Sequence, residues 1–124
     1  MNSTFTTILR LLLGLTLVVF GLNKFLGFIP IFDMAPAAAN FLDSLESSGY
    51  VLYIVAILEI LIGLLLLIKK WVPFALILLA PISINILLFH IFLDVSGLLV
   101  AIIIVGINVI LIYKYWKMYR PLFQ

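Results

Sequence analysis

Four continuous apolar runs divide the chain, with short polar stretches between them. They cover residues 6–28, 50–68, 71–93 and 97–116. A helix needs about 20 apolar residues to cross a hydrocarbon layer about 30 Å thick, and each run is close to that length. A transmembrane β-barrel would instead need alternating segments of about ten residues. Because helices satisfy their own backbone hydrogen bonds in lipid, the pattern predicts a single all-α domain, an integral membrane four-helix bundle.

The longest polar segment, residues 29–49, has a helical pattern of its own. Pro36 suits the first turn of a helix, and the apolar positions Ala38, Phe41, Leu42 and Leu45 then recur on one side. Polar residues occupy the other side. We therefore expect a short amphipathic helix on the outer surface, between the first and second spans. Its simplest role is a lid over the bundle, and partner binding is the alternative.

The direction of the spans follows from the positions of the basic residues. One side of the predicted bundle carries Arg10, Lys69, Lys70, Lys114, Lys117 and Arg120. The other side carries Lys24, Asp33, Asp43, Glu46 and Asp94. The positive-inside rule therefore places both termini in the cytoplasm.

A secretory signal is the alternative for the first run, because Ala37, Ala38 and Ala39 resemble a cleavage site. They lie well beyond the end of the run, and Pro30 and Pro36 intervene. The run is also longer than the apolar region of about 7 to 15 residues in a typical signal peptide. We therefore expect the first helix to be retained.

Composition narrows the function classes. Hydrophobic residues make up 67% of the chain and charged residues 10%, and the mean hydropathy is +1.43. Soluble domains are about half apolar and a quarter charged, so the lipid bilayer is the expected surrounding. The absence of cysteine excludes a thiol-based redox centre. The net charge of +2 is carried by dispersed basic residues, which argues against nucleic-acid binding.

Known cofactor patterns are also missing from the sequence. His90 is the only histidine, so one chain cannot supply two histidine ligands to a haem. The sequence has no zinc-site spacing, no nucleotide-binding loop and no Ser-His-Asp arrangement on a suitable scaffold. We therefore predict neither a metal site nor a covalently bound cofactor.

Polar residues within the apolar runs are the candidate site. An ionisable side chain at mid-bilayer costs about 2.5–3.5 kcal/mol, and Glu59 lies near the middle of the second run. Asn85 has a similar depth, whereas Lys24 and His90 lie nearer the outer surface. We predict that these four residues line an outward-opening pocket that binds a substrate. The alternative is a structural network that fixes helix register, with His90 held by Asp94 at a helix end.

Small residues mark the faces on which the helices pack. In the first run, Gly14 and Gly21 lie on one stripe with Arg10 and Lys24, and in the second run Gly63 follows Glu59 by one turn. Small residues let helix backbones approach closely in membranes. We expect these glycines to be packing residues. Arg10 is expected to be an interfacial anchor that extends toward the cytoplasm.

Two further residues have predicted structural roles. Pro81 cannot donate to the carbonyl of Ile77, so the sequence predicts a local kink that faces protein rather than lipid. Asn108 lies in the central zone of the fourth run and is expected to join Glu59 and Asn85 in one buried polar cluster.

Together these positions resemble the DoxX family. The resemblance rests on Arg10-x-x-x-Gly14, Gly21-x-x-Lys24, Glu59-x-x-x-Gly63 and the run from Pro81 to His90, and it covers nearly the whole chain. It implies a four-helix bundle of the inner membrane, related to the DoxD subunit of archaeal thiosulfate:quinone oxidoreductase and to membrane partners of redox-defence enzymes. It also implies functional roles for Arg10, Lys24, Glu59 and His90.

Three functions are compatible with this sequence. In the first, the protein is an accessory subunit of a membrane redox system, not an enzyme on its own, in which Lys24, Glu59 and His90 contact a quinone or a small polar substrate and relay protons. Because the chain carries no electron-transfer group, any electron transfer must use quinone directly or another protein. The expected partners are a membrane redox protein or a second copy of this chain. The second is a non-enzymatic scaffold or assembly chaperone, a role that distant animal relatives are thought to have. The third is a pathway for a small solute or protons.

Overall fold

A computed structural model of the chain describes residues 3–26 and 36–124. Within these residues the chain is helical and has no strand. Residues 27–35, which include the predicted end of the first span at residue 28 and the acidic residue Asp33, lie outside them. The helices are α1 (Thr4–Leu26), α2 (Pro36–Ser47), α3 (Val51–Ile68), α4 (Val72–Phe92), α5 (Leu98–Lys114) and α6 (Trp116–Tyr119), with 3-10 turns at Val95–Gly97 and Arg120–Phe123.

Four segments of the described chain are long and apolar enough to cross a membrane, which confirms the predicted four-helix fold. Their side chains are exposed over most of their length, as expected for helices that face acyl chains. The predicted boundaries are close to the observed ones. The segments are Thr4–Leu26, Val51–Ile68, Val72–Phe92 and Val95–Lys114.

The four spans form two antiparallel pairs, α1 with α3 and α4 with α5. One end of the bundle, which we call the terminal end, contains the start of α1, the tight turn from α3 to α4, and the end of α5. In this turn Lys69 and Trp71 have left-handed backbone conformations, with φ of 58° and 52°. At the opposite end, which we call the loop end, α2 packs against α3. The six basic residues used to predict the orientation therefore share the terminal end.

The contact between α1 and α3 depends on glycine. A Cβ atom at Gly63 would lie 2.7 Å from the carbonyl oxygen of Gly14 and 2.7 Å from Val18 Cγ2. A Cβ atom at Gly14 would lie 2.9 Å from the carbonyl oxygen of Gly63. Farther along, Gly21 lies against Ala56 and Ile60. Only glycine allows the two backbones to approach this closely, so the three predicted packing glycines lie in the α1–α3 contact.

Arg10 lies inside the bundle, which makes its prediction as an extended interfacial anchor wrong. The residue is 7% exposed, and its Nη1 donates to the carbonyl oxygen of Leu66 and, at 3.5 Å, to that of Leu67. The last carbonyl groups of a helix have no partner within that helix. Arg10 of α1 supplies donors to the end of α3, and the guanidinium therefore turns inward rather than to the cytoplasm.

A second polar contact joins α4 to α5. Asn108 is 1% exposed, accepts from Ser83 Oγ at 3.0 Å and donates through Nδ2 to the carbonyl oxygen of Leu76 at 3.1 Å. Both partners of Asn108 belong to α4. The expectation that Asn108 joins Glu59 and Asn85 is therefore wrong, because the amide is already used in the α4–α5 contact.

Pro81 lies on the exposed side of α4, and this helix continues through it from Val72 to Phe92. The carbonyl oxygen of Pro81 accepts from Asn85 Nδ2 at 2.9 Å. The expectation that this position faces protein is wrong, because Pro81 is exposed, and the kink itself stays a prediction.

The glycine contact generates the first prediction. Replacing Gly63 with alanine places a methyl group against the backbone of α1, and overpacking of this kind costs about 1–3 kcal/mol of unfolding free energy. Gly106→Ala is the matched control, because a Cβ at Gly106 has nothing within 4 Å. Unfolding in detergent, followed by circular dichroism during a denaturant titration, should show destabilisation by Gly63→Ala alone. Equal effects of the two substitutions would contradict the close approach.

The second prediction concerns Arg10. Arg10→Met keeps a long apolar stem but removes the donors to the end of α3, and leaving a buried acceptor unpaired costs about 1–3 kcal/mol. Arg10→Lys retains one cationic donor and should recover part of the loss. The same unfolding titration measures both variants. If Arg10→Met unfolds at the wild-type denaturant concentration, the guanidinium does not stabilise the α1–α3 pair.

Candidate functional site

A cavity of about 890 Å³ lies between the two helix pairs, in the half of the bundle nearer the loop end. Side chains of α1, α3, α4 and α5 form its walls. Most of these side chains are leucine, isoleucine, valine or phenylalanine, so the wall is mainly apolar. A volume of this size is within the range of about 300–1,000 Å³ that small-molecule sites occupy.

Helix α2 covers the cavity at the loop end. Phe41, Leu42 and Leu45 of α2 contribute to the cavity lining, and the Phe41 and Phe89 ring centroids are 5.7 Å apart. Ala38, on the same side of α2, is fully buried. The amphipathic pattern therefore predicted the correct helix and the correct buried side, and this helix lies over the candidate site.

An ion pair lies in the wall of this cavity. Lys24 Nζ of α1 is 2.7 Å from Glu59 Oε1 of α3, and the Glu59 side chain is only 2% exposed while that of Lys24 is 26% exposed. At this distance the ammonium and the carboxylate form a charge-assisted ion pair. The buried carboxyl group of α3 therefore has a basic partner on α1.

The glycine packing explains why these two charges meet. Gly21 is one turn before Lys24, and a Cβ at Gly21 would lie 3.3 Å from Glu59 Cβ and 3.0 Å from the carbonyl oxygen of Ala56. The two backbones are so close that the lysine side chain reaches Glu59 directly. Glu59 is about 12 Å from the start of α3 and slightly farther from its end, at a rise of about 1.5 Å per residue. The ion pair therefore lies near the middle of the span.

His90 is held in place at the loop end of the cavity. Its Nδ1 is 2.9 Å from the carbonyl oxygen of Asp94 and 3.9 Å from Asp94 Oδ2. Because a carbonyl oxygen only accepts, Nδ1 carries the hydrogen, and Nε2 is the ring nitrogen left for a ligand. Phe89 packs edge-on at a centroid distance of 5.1 Å. Gly97 lies directly against the imidazole, where any side chain would overlap the ring.

Lys24, Glu59, Asn85 and His90, the four residues predicted to bind substrate, all line this one cavity. Among them, only Lys24 and Glu59 are in direct contact in the described structure. The residues predicted to pack do not contribute to the lining: Arg10, Gly14, Gly21, Gly63, Pro81 and Asn108 lie elsewhere. The structure brings the predicted polar groups together, and their role in binding stays a prediction.

Two neighbours of this site were not predicted from the sequence. Gly97 lies against His90 and lines the cavity. Phe89 contacts both His90 and Phe41. Its only sequence signal is its position next to His90, because a phenylalanine in an apolar span is otherwise indistinguishable from one that faces lipid.

The cavity reaches the side of the bundle. Asn85 and Leu88 of α4 line it and are also exposed, and Leu88 is 43% exposed. Asn85 is seven residues before Phe92, about 10 Å from that end of the helix. Phe41 and Phe92, which line the cavity at the loop end, are exposed as well. The described part of the chain therefore leaves the cavity open beside α4, at the depth of acyl chains, and the predicted outward opening at the loop end stays a prediction.

The comparisons with known proteins agree with the resemblance noted from the sequence. A family model described as DoxX matches residues 5–92, more than half of the chain. This match includes Lys24, Glu59, Asn85 and His90 and ends at the last residue of α4. No curated protein and no solved structure matched the chain. This multi-pass membrane protein therefore belongs to the DoxX family.

Proposed function

We propose that the protein is an accessory subunit of a membrane redox system and that its cavity binds a quinone. The observation that carries this proposal is the convergence of Lys24, Glu59, Asn85 and His90 on one mainly apolar cavity. A quinone combines a polar ring that carries two carbonyl oxygens with an apolar tail. Both parts of such a molecule have a matching surface in this cavity.

The polar residues suit both redox forms of this ligand. Lys24 Nζ and Asn85 Nδ2 are donors for carbonyl oxygens, and the Glu59 carboxylate is an acceptor for the hydroxyl groups of a quinol. When bound, a quinone supplies the capacity to accept two electrons and two protons. Glu59 and His90 are the groups in the lining that can carry protons, and a redox partner protein must supply the electrons.

The position of the opening supports a lipid-soluble ligand. A molecule dissolved among acyl chains reaches Asn85 and Leu88 without first entering water. At the loop end, the apolar side chains Phe41, Leu42 and Leu45 of α2 line the cavity, so a polar, water-soluble substrate would meet an apolar surface there. The route beside α4 therefore favours a ligand that already resides in the bilayer.

The third prediction tests quinone binding directly. Protein in nanodiscs of neutral phospholipid is titrated with a short-tailed ubiquinone analogue, and binding is measured as the rise in thermal unfolding temperature. Glu59→Gln and Lys24→Met each remove a charged partner, and a hydrogen bond to a charged group is worth about 1.5–3 kcal/mol, so affinity should fall at least tenfold.

The matched controls lie outside the cavity. Glu46→Gln on the polar side of α2 and Lys70→Met in the α3–α4 turn make the same chemical changes and should leave the affinity unchanged. Undiminished binding by both cavity variants would remove the proposal. Absence of quinone binding by the wild type, together with a membrane protein that co-purifies stably, would favour the scaffold function.

The orientation of this subunit is part of the same proposal. The proposed location is the inner membrane of the cell. The terminal end carries six basic residues, so by the positive-inside rule this end faces the cytoplasm. The loop end, with α2 and the cavity half of the bundle, would then face outward.

A labelling experiment tests this fourth prediction, because the chain has no cysteine of its own. Ser47→Cys at the end of α2 and Met118→Cys in α6 are both exposed and lie at opposite ends of the bundle. In intact cells, a membrane-impermeant maleimide should label only Ser47→Cys, and permeabilised cells should label both. The reverse pattern would place the terminal end outside.

A further inference from the structure

The chain after α5 folds back onto the terminal end of the bundle. Tyr115 is 6% exposed and Tyr119 is 3% exposed, and Tyr119 Oη donates to the carbonyl oxygen of Pro73 in α4 at 2.6 Å. Burial raises the pKa of Tyr119 to about 12, so the phenol keeps its proton and remains a donor at neutral pH. These two tyrosines fix α6 against α4 and set which of its side chains face outward.

The outward side of this segment forms a second concave site of about 430 Å³. Its lining consists of two aromatic and three basic side chains: Tyr113, Lys114, Trp116, Lys117 and Arg120. The Trp116 ring stacks on Phe123, with centroids 5.7 Å apart and planes at 25°. The stacking continues the folded segment past α6, so the three cations surround a formed surface rather than a loose tail.

These three cations have no acidic partner in the described structure. The salt bridges there involve other residues, and the carboxylates of Asp43, Glu46 and Asp94 lie toward the loop end. Glu59 is paired with Lys24 near mid-span. Like charges that share one concave surface raise the local potential and concentrate an anion there. The described side chains therefore leave these cations without a counter-charge, and an anionic ligand can supply it.

We propose that this site binds a phosphate group, and that an anionic phospholipid headgroup presents it. Lys114 is the last residue of the fourth span, so the site lies where headgroups lie. Exposed Tyr113 and Trp116 are residue types enriched at this level of a bilayer. Clusters of Lys and Arg next to a transmembrane helix attract anionic headgroups. This proposal is independent of the quinone cavity, which lies in the other half of the bundle.

Fluorescence of Trp116 tests the proposal in the full chain. The protein has two tryptophans, so Trp71→Phe leaves Trp116 as the single reporter at the site. The protein is placed in vesicles that mix phosphatidylcholine with phosphatidylglycerol, and one lipid at a time carries brominated chains that quench tryptophan. The ratio of quenching gives the preference for the anionic lipid. A basic residue near an anionic surface gives about a fivefold preference, so the three together should give a preference well above tenfold.

Two double variants with the same change in charge distinguish binding at this site from a general attraction of basic residues to an anionic membrane surface. Lys117→Gln with Arg120→Gln removes two cations that line the site, and the preference should fall at least tenfold. Lys69→Gln with Lys70→Gln removes two cations at the same end of the bundle but outside the site and should leave most of the preference. A similar fall in both variants would overturn the proposal, as would equal quenching by the two lipids in the parent protein.

A second arm distinguishes a lipid from a free anion. Inorganic phosphate is titrated into the same protein in vesicles of phosphatidylcholine alone, and Trp116 emission is followed. A preference in the lipid arm with no response to phosphate assigns the headgroup as the ligand. A saturable response to phosphate that Lys117→Gln with Arg120→Gln abolishes supports the phosphate site but reassigns its ligand to a soluble anion. No anion-dependent signal in either arm overturns the site.

Discussion

The close approach of α1 and α3 is the contact on which the rest of the structure depends. Within a bilayer there is no hydrophobic gain from bringing two apolar helices together, so their pairing relies on van der Waals packing and polar contacts between them. Gly14, Gly21 and Gly63 supply the packing, and Arg10 supplies donors at the terminal end. The same approach brings Lys24 within 2.7 Å of Glu59. The same glycine packing therefore both joins α1 to α3 and forms the Lys24–Glu59 ion pair.

The two helix pairs use different polar contacts. In α4 and α5, Asn108 and Ser83 join the helices near their middle and use up their own hydrogen-bonding groups. The Lys24–Glu59 pair lies in a wall of the cavity that the two helix pairs enclose. A buried ion pair contributes little net stability, because removing two charges from water offsets most of their attraction.

The two ends of the bundle differ in the charge of their exposed side chains. At the loop end, α2 lies over the cavity and exposes its acidic side chains. At the terminal end, buried tyrosines fix a short segment whose basic side chains point outward. The quinone cavity and the phosphate site that we propose therefore lie in opposite halves of one small bundle. Each uses the chemistry of its own depth, with an apolar wall in the span and cations at the headgroups.

Hydropathy and helical periodicity alone determined the four spans, the short helix α2 and the glycine faces, because the requirement for internal backbone hydrogen bonds leaves few other structures for apolar runs of this length. They also identified Lys24, Glu59, Asn85 and His90 as a group.

The surroundings of Arg10, Asn108 and Pro81 depended on the tertiary structure. A periodic pattern shows which residues share one side of a helix, but not which neighbour that side meets. Arg10 donates to carbonyl groups at the end of α3, Asn108 accepts from Ser83 on α4, and Pro81 lies on the exposed side of α4. The direction in which the cavity opens depends on the spacing between helix pairs, a distance that no single helix encodes.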